Sequence, residues 1–137
     1  RDAGDAGKLT RVNLIPPRQL HYRHLVAEYR EISRVYGLAR AWNARGRDTK
    51  VPAAYTMGKG HVSFFYDKLG FIRERYAELV AEMRRRGYAV NHPELPMRDI
   101  PEDLFGTYVP TEDAVRINLR RLAESLERML EGEEGSA

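Results

Sequence analysis

The sequence predicts an all-α protein, a compact single domain of three main helices with long ordered connecting loops. Three observations favour this class. Apolar residues recur at helical spacing in three separate stretches, proline and glycine clusters separate those stretches, and 137 residues suffice for one sizeable core. The domain is expected over residues 10–130. Residues 1–9 are interpreted as a disordered leader or a vector-derived remnant, and residues 131–137 as a flexible acidic tail.

The first helix is predicted over residues 18–42, after an extended arm at residues 10–15 that two consecutive prolines end. At about 100° per residue, one face of this helix collects apolar side chains and is expected to be buried: Leu25, Tyr29, Ile32, Tyr36 and Ala39. Arginines occupy the opposite face. His24 and Glu31 fall on the flank between the two faces, where a carboxylate can be partly desolvated beside cations.

The second helix is predicted over residues 67–86 and stops at Gly87. Its apolar stripe is Ile72, Tyr76, Leu79 and Met83. The preceding aromatic stretch, residues 61–66, permits either a short strand or a packed lead-in to the helix. We favour the lead-in and expect its aromatic side chains in the core.

The third helix is predicted to begin after Thr111, whose hydroxyl suits a helix cap. Its predicted apolar stripe is Val115, Leu119, Leu122, Leu126 and Met129. The loop between the second and third helices carries four prolines, and its aromatic residues are expected to pack against the helices.

Positive charge is concentrated along the first helix. The net charge is only +3, yet residues 18–47 hold seven arginines against Glu28 and Glu31 alone among acidic residues. Such clustering is typical of surfaces that bind a phosphate backbone, although arginines that merely solvate a helix face remain an open alternative.

Several kinds of chemistry lack the residues they need. Cysteine is absent and the four histidines have poor metal-binding spacing, so we expect no metal. No glycine-rich phosphate loop and no serine nucleophile elbow is present, and we expect no cofactor. No apolar run approaches the ~20 residues of a membrane-spanning helix.

The chain resembles the pyrimidine dimer DNA glycosylases of the phage endonuclease V type. The motifs that carry the resemblance are TRVNL at residues 10–14, HLVAEYRE at 24–31, RVYG at 34–37 and GHVSFFYDKL at 60–69. Shorter matches follow in the same order at residues 78–82, 86–88, 99–101, 108–110 and 121–122. The collinear series from residue 10 to residue 122 is far more specific than any single motif.

The resemblance implies a monomeric DNA repair enzyme that acts on damaged double-stranded DNA, with pyrimidine dimers or related lesions as substrates. It would lie in the cytoplasm, associated with the nucleoid when bound to DNA. The family's nucleophile, the α-amino group of a threonine, matches Thr10, and its catalytic carboxylate matches Glu31. The expected reaction is glycosylase cleavage followed by abasic-site lyase cleavage through an imine. Residues that match the family's phosphate contacts are Arg11, His24, Arg30, Arg34 and Arg121.

Two departures from the family pattern keep other hypotheses open. Nine residues precede Thr10 in this sequence, so its nitrogen is an amide as written. In addition, Ser125 stands where the family carries a basic residue, and the tail lacks the family's aromatic residues. A non-catalytic DNA-binding protein of the same fold is therefore one alternative. An arginine-rich helical interaction module without a nucleic-acid role is another.

Overall fold

Four α-helices form the framework of the structure, a computed structural model that describes residues 10–136. They are α1 (Tyr22–Glu31), α2 (Arg34–Ala44), α3 (Leu69–Arg85) and α4 (Glu112–Ser136). Three single-turn 3-10 helices lie between them, at Pro17–Gln19, Ser63–Phe65 and Glu102–Leu104. Residues 10–136 contain no β-strand, and the all-α prediction is confirmed. The leader predicted at residues 1–9 lies outside the described residues.

The single first helix predicted over residues 18–42 is wrong, because the structure has two helices there and a later start. Pro17–Gln19 form a 3-10 turn, and Leu20 is extended with ψ 137°. His21 then caps α1, its Nδ1 accepting a hydrogen bond from the Arg23 amide at 3.1 Å. The helix therefore begins at Tyr22.

The break between α1 and α2 falls at Ile32 and Ser33, directly after Glu31. Both residues keep right-handed helical angles. The amides of Val35 and Tyr36 bond to carbonyls three residues earlier, those of Ile32 and Ser33, at 3.1 and 3.2 Å. This tightened turn ends the regular α-helical pattern and places Glu31 at the end of α1.

The core lies between the α1–α2 pair, α3 and the aromatic loop that precedes α3. The buried face predicted for the first helix is confirmed for Leu25, Ile32, Tyr36 and Ala39, and Tyr29 is partly buried against the same cluster. The predicted stripe of α3 is also buried. Gly87 ends this helix with a φ of +80°, as its glycine allows.

The aromatic stretch before α3 is a packed lead-in and not a strand, as predicted. Phe64 and Phe65 lie within the 3-10 turn and are buried. Their rings meet edge to face with centroids 5.0 Å apart, and Tyr108 of the later loop packs edge to face on both. This cluster fixes the loop that carries His61.

The apolar stripe predicted for the last helix is wrong at Leu119, which is 48% exposed. The side of α4 that meets the core instead presents Ala114, Asn118 and Leu122. The helix also extends through residues 131–136, beyond its predicted end; the flexibility of that tail stays a prediction.

Within residues 10–136, no helix combines the length and the apolar character needed to cross a membrane.

Candidate active site

One cavity collects four of the seven predicted site residues. It has a volume of about 100 Å³ and lies between α1, α4 and the arm, which we define as residues 10–15. Its lining residues are Arg11, Asn13, His24, Ala27, Glu28, Glu31, Arg121, Leu122 and Ser125. The α1 members are spaced three and four residues apart, so they share one helix face. Arg11, His24, Glu31 and Arg121 are thus brought together around one space.

Glu31 contributes a partly exposed carboxylate to the cavity, with 28% of its side chain exposed. Arg34, across the break between α1 and α2, forms an ion pair with its Oε2, which is buried. This pairing leaves the carboxylate at the cavity, where it can offer a hydrogen-bond acceptor to a bound molecule.

Positive charge faces Glu31 from the arm and from α4. Burial, and after it the charge of Arg121, lowers the pKa of Arg11. Burial also lowers the pKa of His24, followed by the charges of His21 and Arg121. His24 Nε2 lies 2.8 Å from Ser125 Oγ. Arg11 and Arg121 bring two positive charges to the cavity, while the two carboxylates that line it, Glu28 and Glu31, are paired with Arg75 and Arg34 outside it. The resulting excess of positive charge suits a phosphate group.

Thr10 is buried beside this cavity but does not line it. Its carbonyl accepts a hydrogen bond from Arg11 Nη1 at 3.1 Å. The arm that carries Thr10 is held by side chains and not by a sheet. The Leu14 amide, for example, donates to Asn118 Oδ1 at 2.7 Å, which ties the arm to α4.

A buried ion pair forms the centre of these contacts. Both carboxylate oxygens of Glu28, which is 2% exposed, accept hydrogen bonds from Arg75 of α3, at 2.8 and 3.0 Å. The same carboxylate accepts from Asn13, through the backbone amide at 3.3 Å and the side-chain amide at 2.8 Å. Arg75 also donates to the Ile15 carbonyl at 2.6 Å. The arm is thereby anchored to α1 and α3 together.

The structure does not bring Arg30 and Arg34 into the cavity. Arg30 is exposed and lines a different cavity of about 320 Å³, together with Tyr29 and Tyr76. The Arg34 side chain is 43% exposed and reaches the site through its ion pair with Glu31. Within the described part of the chain, no group of three or more potential metal-binding side chains is found.

Sequence reasoning missed the residues that hold the arm: Asn13, Glu28, Tyr55, His61, Arg75 and Asn118. A signal was available for Glu28, Arg75 and Asn118. Each of them lies three residues after one apolar residue of its helix's buried stripe and four residues before the next. This spacing puts its polar side chain on the face that meets the core. No comparable signal marks His61, which lies in an irregular loop.

A known protein family matches more than half of this chain. The family model described as pyrimidine dimer DNA glycosylase matches residues 9–95, a range that contains the arm, α1, α2, the aromatic loop and α3. Of the cavity's lining residues, only those of α4 lie outside the matched range. The match extends over more than half of the chain, and the chain therefore belongs to the pyrimidine dimer DNA glycosylase family.

Proposed function

We propose that this protein is a DNA repair glycosylase with an associated abasic-site lyase activity on damaged duplex DNA, pyrimidine dimers or related lesions. Family membership supports the broader statement that it is a DNA glycosylase and that DNA is its substrate. The observation that carries the finer proposal is the cavity that Glu31, partly exposed and paired with Arg34, lines together with Arg11 and Arg121, next to Thr10.

The α-amino group of Thr10, when it begins the chain, is the proposed nucleophile. An α-amino group has a reference pKa near ~8 against ~10.4 for lysine, so an appreciable fraction is unprotonated at neutral pH. Its nitrogen bonds to C1′ of the deoxyribose while the bond from C1′ to the base breaks, and the base leaves with a proton. Opening of the sugar ring then leaves an imine between the Thr10 nitrogen and C1′.

The imine makes the C2′ proton acidic. Loss of that proton and cleavage of the bond from C3′ to the 3′ phosphate oxygen break the strand, and water releases the unsaturated aldehyde from the enzyme. Glu31 is proposed to stabilise the positive sugar and to move protons in these steps. Arg11, His24, Arg30, Arg34 and Arg121 are the proposed DNA contacts, since arginine binds phosphate oxygens through two donors and keeps its charge.

Borohydride trapping on abasic duplex DNA tests the nucleophile. A chain that begins at Thr10 should become covalently attached to the DNA. The matched control is the 137-residue chain, in which the Thr10 nitrogen is an amide and no attachment is expected. Equal trapping by both chains would assign the nucleophile to an amine that both contain, such as the side chain of Lys59 or Lys68. No trapping by the chain from Thr10 would refute the mechanism.

The Glu31→Gln variant tests the carboxylate. It should bind abasic DNA with similar affinity but cleave it at least ~100-fold more slowly, as expected for loss of a general acid or base. Unchanged cleavage would remove Glu31 from the mechanism.

A non-catalytic DNA-binding protein of the same fold is the second candidate, favoured by the amide at Thr10 in the present sequence. It predicts salt-sensitive duplex binding without strand cleavage, even for the chain that begins at Thr10.

A further inference from the structure

Val12 is the residue of the arm whose backbone is held on both sides by buried side chains of one loop. Its amide donates to His61 Nε2 at 2.9 Å, and its carbonyl accepts from the Tyr55 hydroxyl at 3.0 Å. The rings of Tyr55 and His61 also pack edge to face, with centroids 5.2 Å apart. These contacts fix Val12 in position and orientation, two residues from Thr10.

The hydrogen bonds of His61 determine its tautomer. A backbone amide can only donate, so Nε2 must be the acceptor for Val12. Nδ1 then carries the ring hydrogen and donates to the Thr56 carbonyl, at 2.8 Å. The ring is completely buried, and both nitrogens are occupied. His61 is thus a neutral link between the loop at Thr56 and the arm.

We propose that His61 is a positioning residue, which sets the place of the Thr10 nitrogen relative to Glu31 by holding the Val12 amide. This inference rests on the proposed function. Two residues span at most about 7 Å of backbone, so a displacement at Val12 is passed on to the Thr10 nitrogen with little room for correction. His61 does not touch the DNA in this role, since no part of its side chain is exposed.

The effect of losing this contact follows from the geometry that nucleophilic attack requires. A misplacement of about 1 Å can slow a reaction about 100-fold when the attacking atom must approach at a defined angle and distance. We therefore expect the rate of imine formation to fall about 10- to 100-fold, while DNA affinity changes less than about 3-fold.

Two substitutions at His61 separate positioning from simple loss of a buried ring. The amide of asparagine reaches about as far as Nδ1, whereas the amide of glutamine reaches about as far as Nε2. His61→Gln therefore retains an acceptor for Val12, and His61→Asn retains only the link to Thr56. Both are made in the chain that begins at Thr10.

The measurement is the single-turnover rate of borohydride-trappable imine formation on abasic duplex DNA at saturating protein, with the Kd measured separately. His61→Asn should show the 10- to 100-fold lower rate, and His61→Gln should recover most of it. Tyr55→Phe, which removes the other bond to Val12, should lower the rate by a smaller factor. Its matched control is Tyr36→Phe, which removes a buried hydroxyl bonded to the Leu69 carbonyl at 3.1 Å and should leave the rate unchanged.

The two failures are distinguishable. Absence of trapping by the wild-type chain from Thr10 would overturn the proposed function and this inference with it. Trapping by the wild type at the same rate as His61→Asn would overturn the inference alone. Equal losses of rate in the asparagine and glutamine variants, or a change confined to the Kd, would also overturn it. If His61→Asn does not fold, Tyr55→Phe decides, and equal rates for it and Tyr36→Phe would overturn the inference.

Discussion

Replacing His61 with glutamine should remove an acid-sensitive part of the folding stability. In the native state the ring accepts from Val12 and donates to Thr56, an arrangement that only the neutral form can make. Burial lowers the pKa of His61 to about 4, and the charges of Arg11 and Arg121 also lower it, against the opposing effect of the hydrogen bond to Thr56.

The size and sign of the effect follow from this pKa. The unfolded chain binds the proton with the ordinary pKa of 6.5, and the folded chain binds it only near 4. The contribution of neutral His61 to the unfolding free energy is therefore fully present above pH 6.5, and it falls as the pH drops towards 4. One pKa unit corresponds to about 1.4 kcal/mol, so the unfolding free energy should lose roughly 3 kcal/mol across this interval.

Urea unfolding of the 137-residue chain between pH 7.5 and 4 measures this loss, with His61→Gln as the reference. The difference between the two proteins should change by about 1.4 kcal/mol per pH unit between the two pKa values. Comparing the two proteins cancels His24, whose pKa is lowered in the same direction. Glu82 acts at lower pH, because hydrogen bonds from Arg85 and Arg86 lower its pKa to about 2. Parallel stability curves would refute a neutral, buried His61.

Four further predictions concern stability and DNA binding. Arg75→Met should lower the unfolding free energy by about 3–5 kcal/mol, because it leaves the Glu28 carboxylate buried without its ion pair. Gly106→Ala should cost about 1–3 kcal/mol, since its Cβ would overlap the Asp67 carbonyl oxygen. In contrast, Gly37→Ala in the open space beside α2 should gain about 0.5–1 kcal/mol. Urea unfolding checks all three variants. Arg34→Ala should reduce the slope of log affinity for duplex DNA against log salt by about 0.9, and an unchanged slope would argue against a phosphate contact.

The helical framework was predictable because apolar periodicity reports which face of a helix is buried. That information gave the buried faces of the first helix and of α3. It could not give the break after Glu31, because Ile32 and Ser33 keep helical angles and only the hydrogen-bonding pattern changes there. Nor could it reject Leu119, which has the right spacing for a stripe that the structure places elsewhere on α4.

The set of residues that line the cavity was less predictable, because it depends on contacts between residues distant in sequence. Arg11 and Arg121 come together only when the arm lies against α4, and Asn118 holds it there through the Leu14 amide. The resemblance to a known family supplied both arginines as candidates. It did not indicate that Arg30 would line another cavity.

Glu28 and Glu31 show why the three-dimensional contacts decide what a carboxylate can do. They lie about one turn apart on α1, and both line the cavity. Glu28 accepts four hydrogen bonds, two from Arg75 and two from Asn13, so both its oxygens are used in holding the arm. Glu31, in contrast, is paired through its Oε2 with Arg34, which is itself 43% exposed, and neither residue contacts the arm in the hydrogen bonds described above. Of the two, Glu31 is the carboxylate that we propose for proton exchange with a substrate, because its ion pair takes no part in holding the arm.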